Sequence, residues 1–232
     1  MDNRIKWAGA ALVLGGLLMF TRMAPIFAVL PEDMSFPPAS TQEMVRLAAI
    51  AGSRWQISHL MGLVAVALFA IAYAWHVNVL LRLGWKRIGL ATAAAATGAF
   101  GLFGIALFID GFVVSAAIQR YLSTGGTESM LLEQVAEMHS LALTFFSPAI
   151  FLLFVAMGVL SSPMLHRRIH SRWLGVAGQF IAITAVVAYL TDVAGPHWNN
   201  LQIAGTLMMA AFAWHLLVGA RSVFKKPATE AG

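Results

Sequence analysis

Residues 53–82 read SRWQISHLMGLVAVALFAIAYAWHVNVLLR. From Trp55 to Leu81 there is no aspartate, glutamate, lysine or arginine, and the polar side chains gather near the two ends. A helix needs about 20 apolar residues to cross the hydrocarbon of a bilayer, and this run supplies more than that without a break. It has none of the apolar–polar alternation of a barrel strand, which needs only about ten residues. The stretch therefore reads as a transmembrane helix, and it sets the fold class for the chain around it.

Five more segments qualify on either side: Trp7–Pro25, Ile88–Ile109, Met138–Leu160, Trp173–Leu190 and Leu201–Ala220. The prediction is an all-α polytopic membrane protein, six helices in one transmembrane domain over residues 1–232. Composition agrees. The chain is 59% hydrophobic and 11% charged, whereas a soluble domain has roughly 45–50% apolar and about 25% charged residues. The absence of cysteine excludes disulfides, thiolate metal sites and cysteine nucleophiles together. The net charge of +5 is spread over several loops, so it makes no nucleic-acid surface. Arg4 and Lys6 precede the first apolar run, and Ile26-Phe27-Ala28 has the look of a signal-peptidase site. The run is long for a signal peptide and is read as a retained first helix.

Basic residues orient the bundle. With both termini in the cytoplasm, the inner side holds Arg4, Lys6, Arg82, Lys86, Arg87, Arg167, Arg168, Arg172, Arg221, Lys225 and Lys226. Arg22, Arg46, Arg54 and Arg120 fall outside, so eleven of the fifteen basic residues obey the positive-inside rule. The outer loop over 31–54 carries Pro31, Pro37 and Pro38, then a capping box at Ser40-Thr41-Gln42-Glu43. That box predicts a short helix with Met44, Leu47, Ala48 and Ala51 on one face, lying along the outer interface. A second box, Ser53-Arg54-Trp55-Gln56, is expected to open the second span. The third and fourth helices are expected to run past the membrane and meet in a hairpin at Gly125-Gly126. Small residues such as Ala93 to Ala96, Gly98, Gly101 and Gly104 predict close helix packing. Pro148 is expected to kink the fourth span, with Ser147 repairing the freed carbonyl, and Arg22 is expected to snorkel.

The side chains able to carry chemistry fall into two layers. His59 lies 23 residues from Arg82, Asp110 lies 23 from Arg87, and His139 lies 23 from Ser162. Asp192 is 20 residues from Arg172, and His197 is 24 from Arg221. At about 1.5 Å per residue these counts reach nearly the full thickness of the hydrocarbon, so all five sit at its outer edge. His76 and His215, each six residues from an arginine, form the inner layer. This arrangement admits two cofactor readings. His59, Asp110, His139 and Asp192 have the ligand chemistry of a transition-metal site. Alternatively, haem b is held by histidine pairs, with His197 and either His59 or His139 outside, and His76 with His215 inside. A plainer reading is that interfaces tolerate histidine and aspartate. Asp110 resists it, because its helix continues beyond it; the carboxylate should pair with Arg54, Arg120 or His139.

His166 and His170, spaced to share a helical face, and the arginines around them are expected to bind anionic lipid headgroups. No phosphate-binding glycine loop or nucleophile elbow is present, and the midplane is almost free of charge. Ile109-Asp110-Gly111-Phe112 and Ser171-Arg172-Trp173-Leu174-Gly175 resemble stretches in uncharacterised bacterial six-helix membrane proteins. That resemblance implies six helices in a bacterial inner membrane and brings no activity with it. The expectation at this level is a redox, metal- or haem-binding membrane protein. An accessory subunit held in a larger complex by its small-residue faces, and a carrier or receptor for a small lipophilic molecule, are the alternatives.

Overall fold

The computed structural model describes residues 3–34, 38, 40–166, 170–193 and 201–224. His197 and the side chain of Asp192 lie outside the described residues. Among those described, every regular element is a helix. They are α1 (Asn3–Thr21), α2 (Ala24–Phe27), α3 (Thr41–Ala51), α4 (Ser53–Arg82), α5 (Lys86–Phe108), α6 (Val114–Ser123), α7 (Ser129–Leu165), α8 (Arg172–Val193) and α9 (Leu201–Phe224). A single π-helical turn, Ile109–Val113, joins α5 to α6. Six helical stretches are long and apolar enough to cross a membrane: Lys6–Phe27, Ser53–Arg82, Lys86–Ser123, Ser129–Leu165, Arg172–Thr191 and Thr206–Phe224.

The six long helices close into a ring. Each packs on the next in the order α1, α4, α5, α7, α8, α9 and back to α1, with the lightest joint between α8 and α9. Two glycines set the closest approach, between α1 and α9. A Cβ on Gly9 would lie 2.7 Å from the Gly219 carbonyl oxygen, and one on Gly219 would lie 2.6 Å from that of Gly9. The expected small-residue face of α5 is used only in part. Ala95, Ala96 and Ala99 are buried, whereas Gly101 and Gly104 have nothing within 4 Å of a notional Cβ. The main core fills the ring with Leu12, Phe69, Tyr73, Phe100, Met157, Trp214 and their neighbours.

A second core lies at the end of the bundle where α3 and the hairpin sit, here called the cap end. The hairpin forms as its two glycines predict, with Gly125 and Gly126 at φ 77° and 70°. Ser40 caps α3 as expected, its hydroxyl accepting from the Glu43 N–H at 3.2 Å. The apolar face of α3 corrects the interfacial reading. Met44, Val45, Leu47, Ala48 and Ala51 are buried in a cluster with Val114, Ile118 and Val135 of the hairpin, so they cover protein. Asp33 and Arg46 form an exposed ion pair of 2.9 Å beside it. The hydrogen bond from Arg46 holds the Asp33 carboxyl below its ordinary value. That contact thus stabilises the cap above the usual aspartate range and is lost as pH falls through the lowered value.

Three local expectations change. Gly52, at φ 53°, takes the cap position of α4, so Ser53 is already helical and makes no capping bond; Gln56 instead reaches Ser115 on α6 at 3.3 Å. Ser147, beside Pro148 within α7, donates to the Tyr189 hydroxyl at 3.4 Å rather than to a carbonyl of its own helix. Finally, α7 ends at Leu165, which breaks the shared face of His166 and His170. His166 packs on Trp85, and His170 is buried against His76.

Candidate functional site

The π-turn organises the cap-end site. A π-turn inserts one extra residue into a helix, rotates the segment beyond it and leaves a backbone carbonyl without its usual partner; such turns gather at functional sites. Here the Asp110 carbonyl accepts from the indole N–H of Trp55 on α4 at 3.1 Å. The next residue is Gly111, whose missing side chain admits His59, since a Cβ there would overlap the His59 Cβ and ring. One turn thus presents the Asp110 carboxylate and makes room for the imidazole that meets it.

Asp110 stands between two imidazoles. Its Oδ2 lies 3.0 Å from His59 Nε2 on α4, and its Oδ1 lies 2.8 Å from His139 Nδ1 on α7. Side-chain exposure falls from 34% at His139 through 22% at Asp110 to 7% at His59. The three therefore form a line from the accessible edge into the bundle. Of the partners expected for Asp110, His139 is found, His59 joins it, and Arg54 and Arg120 make no hydrogen bond to it.

Hydrogen-bond chemistry fixes the proton content of this line. His59 Nδ1 faces the Trp55 carbonyl at 2.8 Å, and a carbonyl only accepts, so Nδ1 carries a hydrogen. Its Nε2 faces a carboxylate oxygen, which also accepts. The contact is complete only with a further proton between His59 Nε2 and Asp110 Oδ2, whichever of the two it rests on. Arg22 adds a second positive charge. It lines a cleft of about 110 Å³ with His59, Asp110, Ala106, Leu107, Ala142, Leu143 and Phe146. Gly62 leaves room for it, since a Cβ there would lie 3.3 Å from Arg22 Nη1. This corrects the snorkelling expected of Arg22: it turns to the site. Among the described residues its guanidinium meets no hydrogen-bond acceptor. The guanidinium and the shared proton against one carboxylate leave the cleft with one positive charge in excess.

The inner-layer histidines are placed differently. His215 sends Nδ1 to the Ala211 carbonyl at 2.6 Å and receives the Tyr73 hydroxyl on Nε2 at 2.9 Å. Both nitrogens of a neutral ring are then satisfied. His76 binds the Ala72 carbonyl through Nδ1 at 2.8 Å and meets His170 through Nε2 at 3.4 Å. His76 and His215 are thus each turned to a protein partner rather than to each other. At the cap end the donor groups of His59 and Asp110 face one another rather than a common point. Among the described residues, no three His, Asp or Glu side chains are disposed to hold a metal ion. His197 and the Asp192 carboxylate, expected at the same level, lie outside the described residues.

Sequence reasoning did not place Trp55, Gly111 or Arg22 in the site. A signal existed for two of them: Trp55 stands one helical turn before His59, and Gly111 directly follows the one carboxylate inside a continuing helix. Comparison with family models, curated proteins and solved structures finds no match for this chain.

Proposed function

We propose that this chain is a multi-pass protein of a bacterial cytoplasmic membrane, with both termini inside and the cap end outside. We further propose that it acts as a carrier or receptor for a small lipophilic molecule whose polar group meets Arg22 beside His59 and Asp110. The orientation rests on the distribution of arginine and lysine. The function rests on one observation: a half-buried cleft whose floor holds Arg22, His59 and Asp110 and whose walls are Ala106, Leu107, Ala142, Leu143 and Phe146. Pockets that bind small molecules combine mostly apolar walls with a few polar groups that fix orientation. Ionisable residues within membrane segments mark such pathways and sites. A redox, haem or metal role draws less support, because the imidazoles and carboxylate are already engaged with one another and with backbone carbonyls.

The test is to purify the protein from its own membrane in mild detergent and identify what travels with it, by native mass spectrometry and organic extraction. The expected result is one small amphiphile per protein, lost in Leu143→Trp, which fills the cleft rim without touching its charges. Phospholipid alone, in the same amount in wild type and variant, would overturn the reading.

A further inference from the structure

The cleft also specifies the chemistry of its ligand, on the assumption that the carrier or receptor reading holds. We propose that it binds a monocarboxylate with an apolar body, the carboxylate on Arg22 and the body against Leu107, Ala142, Leu143 and Phe146. Three observations point there. Arg22 brings up to five N–H donors to the cleft, and among the described residues none finds an acceptor. A guanidinium left so within a membrane-spanning segment calls for a planar acceptor, and its fork geometry matches a carboxylate.

The second observation is charge. The proton that His59 and Asp110 must share leaves the cluster of Arg22, His59, Asp110 and His139 with one positive charge in excess. A single carboxylate neutralises it. A phosphate dianion would over-compensate beside Asp110, and an amine would add to the excess. The third is shape. A cleft of about 110 Å³ admits a carboxylate and a short apolar segment. Five of its eight lining residues are apolar, and Leu143 at the rim is 53% exposed, so the body of the ligand leaves the cleft over apolar surface.

Isothermal titration of the full-length protein in nanodiscs tests this with four probes: decanoate, butyrate, methyl decanoate and decanol. Decanoate is expected to bind saturably. Methyl decanoate and decanol, which lack the charge, should bind roughly ten- to a hundredfold more weakly, as should decanoate to Arg22→Gln. Leu143→Trp, at an exposed position that leaves the charges in place, should weaken decanoate by about tenfold or more through lost wall contact. Butyrate should be weaker than decanoate, by about fourfold for each methylene that the walls bury. If methyl decanoate binds as tightly as decanoate, and Arg22→Gln makes no difference, the carboxylate assignment is wrong while the carrier or receptor reading survives. Equal binding of butyrate and decanoate overturns the apolar body and points to a water-borne carboxylate. If no probe binds, the carboxylate assignment falls, while the carrier or receptor reading is decided by the extraction experiment.

Discussion

Gly111 and His59 show how much one missing methyl group decides here. The Cβ and ring of His59 crowd the space a Cβ at position 111 would take, so the carboxylate–imidazole contact depends on glycine following Asp110. Gly111→Ala should therefore lower stability by about 1–3 kcal/mol, the usual range for an overpacked contact. It should also raise the exposure of Asp110. Thermal unfolding in detergent measures the first effect. The same substitution in a His59→Gly background should be much milder, because the nearest clash, with the His59 Cβ, is then gone. An equal loss in both backgrounds would mean that the two residues do not press on each other. The residue pattern gave warning of part of this. A carboxylate inside a continuing helix must pair, but the identity of its partners depended on which faces met.

At the scale of elements, α3 and the hairpin make a folded cap that the hydropathy of the spans does not announce. The capping box at Ser40 was legible because it is a local hydrogen bond between residues three apart. The matching pattern at Ser53 did not form a cap, since Gly52 with its positive φ turns the chain one residue earlier. The face of α3 was also legible, but not what covers it: buried apolar residues satisfy a lipid surface and a helix hairpin equally well. Ser40→Ala should cost about 0.5–2 kcal/mol, the range for a lost N-cap. The loss should be confined to α3 and its cover. Hydrogen exchange should then quicken over 41–51 and leave the bundle helices unchanged. Uniform loosening of the whole protein would show that the cap and the ring unfold together.

Across the whole molecule, the ring closes where α1 meets α9, with Gly9 and Gly219 back to back. The orientation of that ring in a membrane is open to a direct test, because the chain has no cysteine of its own. Thr127, on the cap-end hairpin, and Lys86, at the opposite end, are both exposed. Thr127→Cys should react with a membrane-impermeant maleimide on intact spheroplasts. Lys86→Cys should react only after permeabilisation. The reverse pattern would place the cap and its site in the cytoplasm.

The six long apolar helices are legible in the sequence alone, because hydropathy is a property of consecutive residues. The long reach of α5 to α7 past the spans was legible for the same reason, since no breaker precedes Ser123. Partnership is different. His59 and Asp110 are 51 residues apart, and Asp110 and His139 are 29 apart. Their meeting depends on how each helix is rotated about its axis. One inserted residue shifts that rotation by about 100°, and the π-turn at Ile109–Val113 is such an insertion. Packing of other helices places Arg22 at the cleft and sets His76 against His170 rather than His215. These choices belong to side-chain packing between distant segments, and only the tertiary structure makes them.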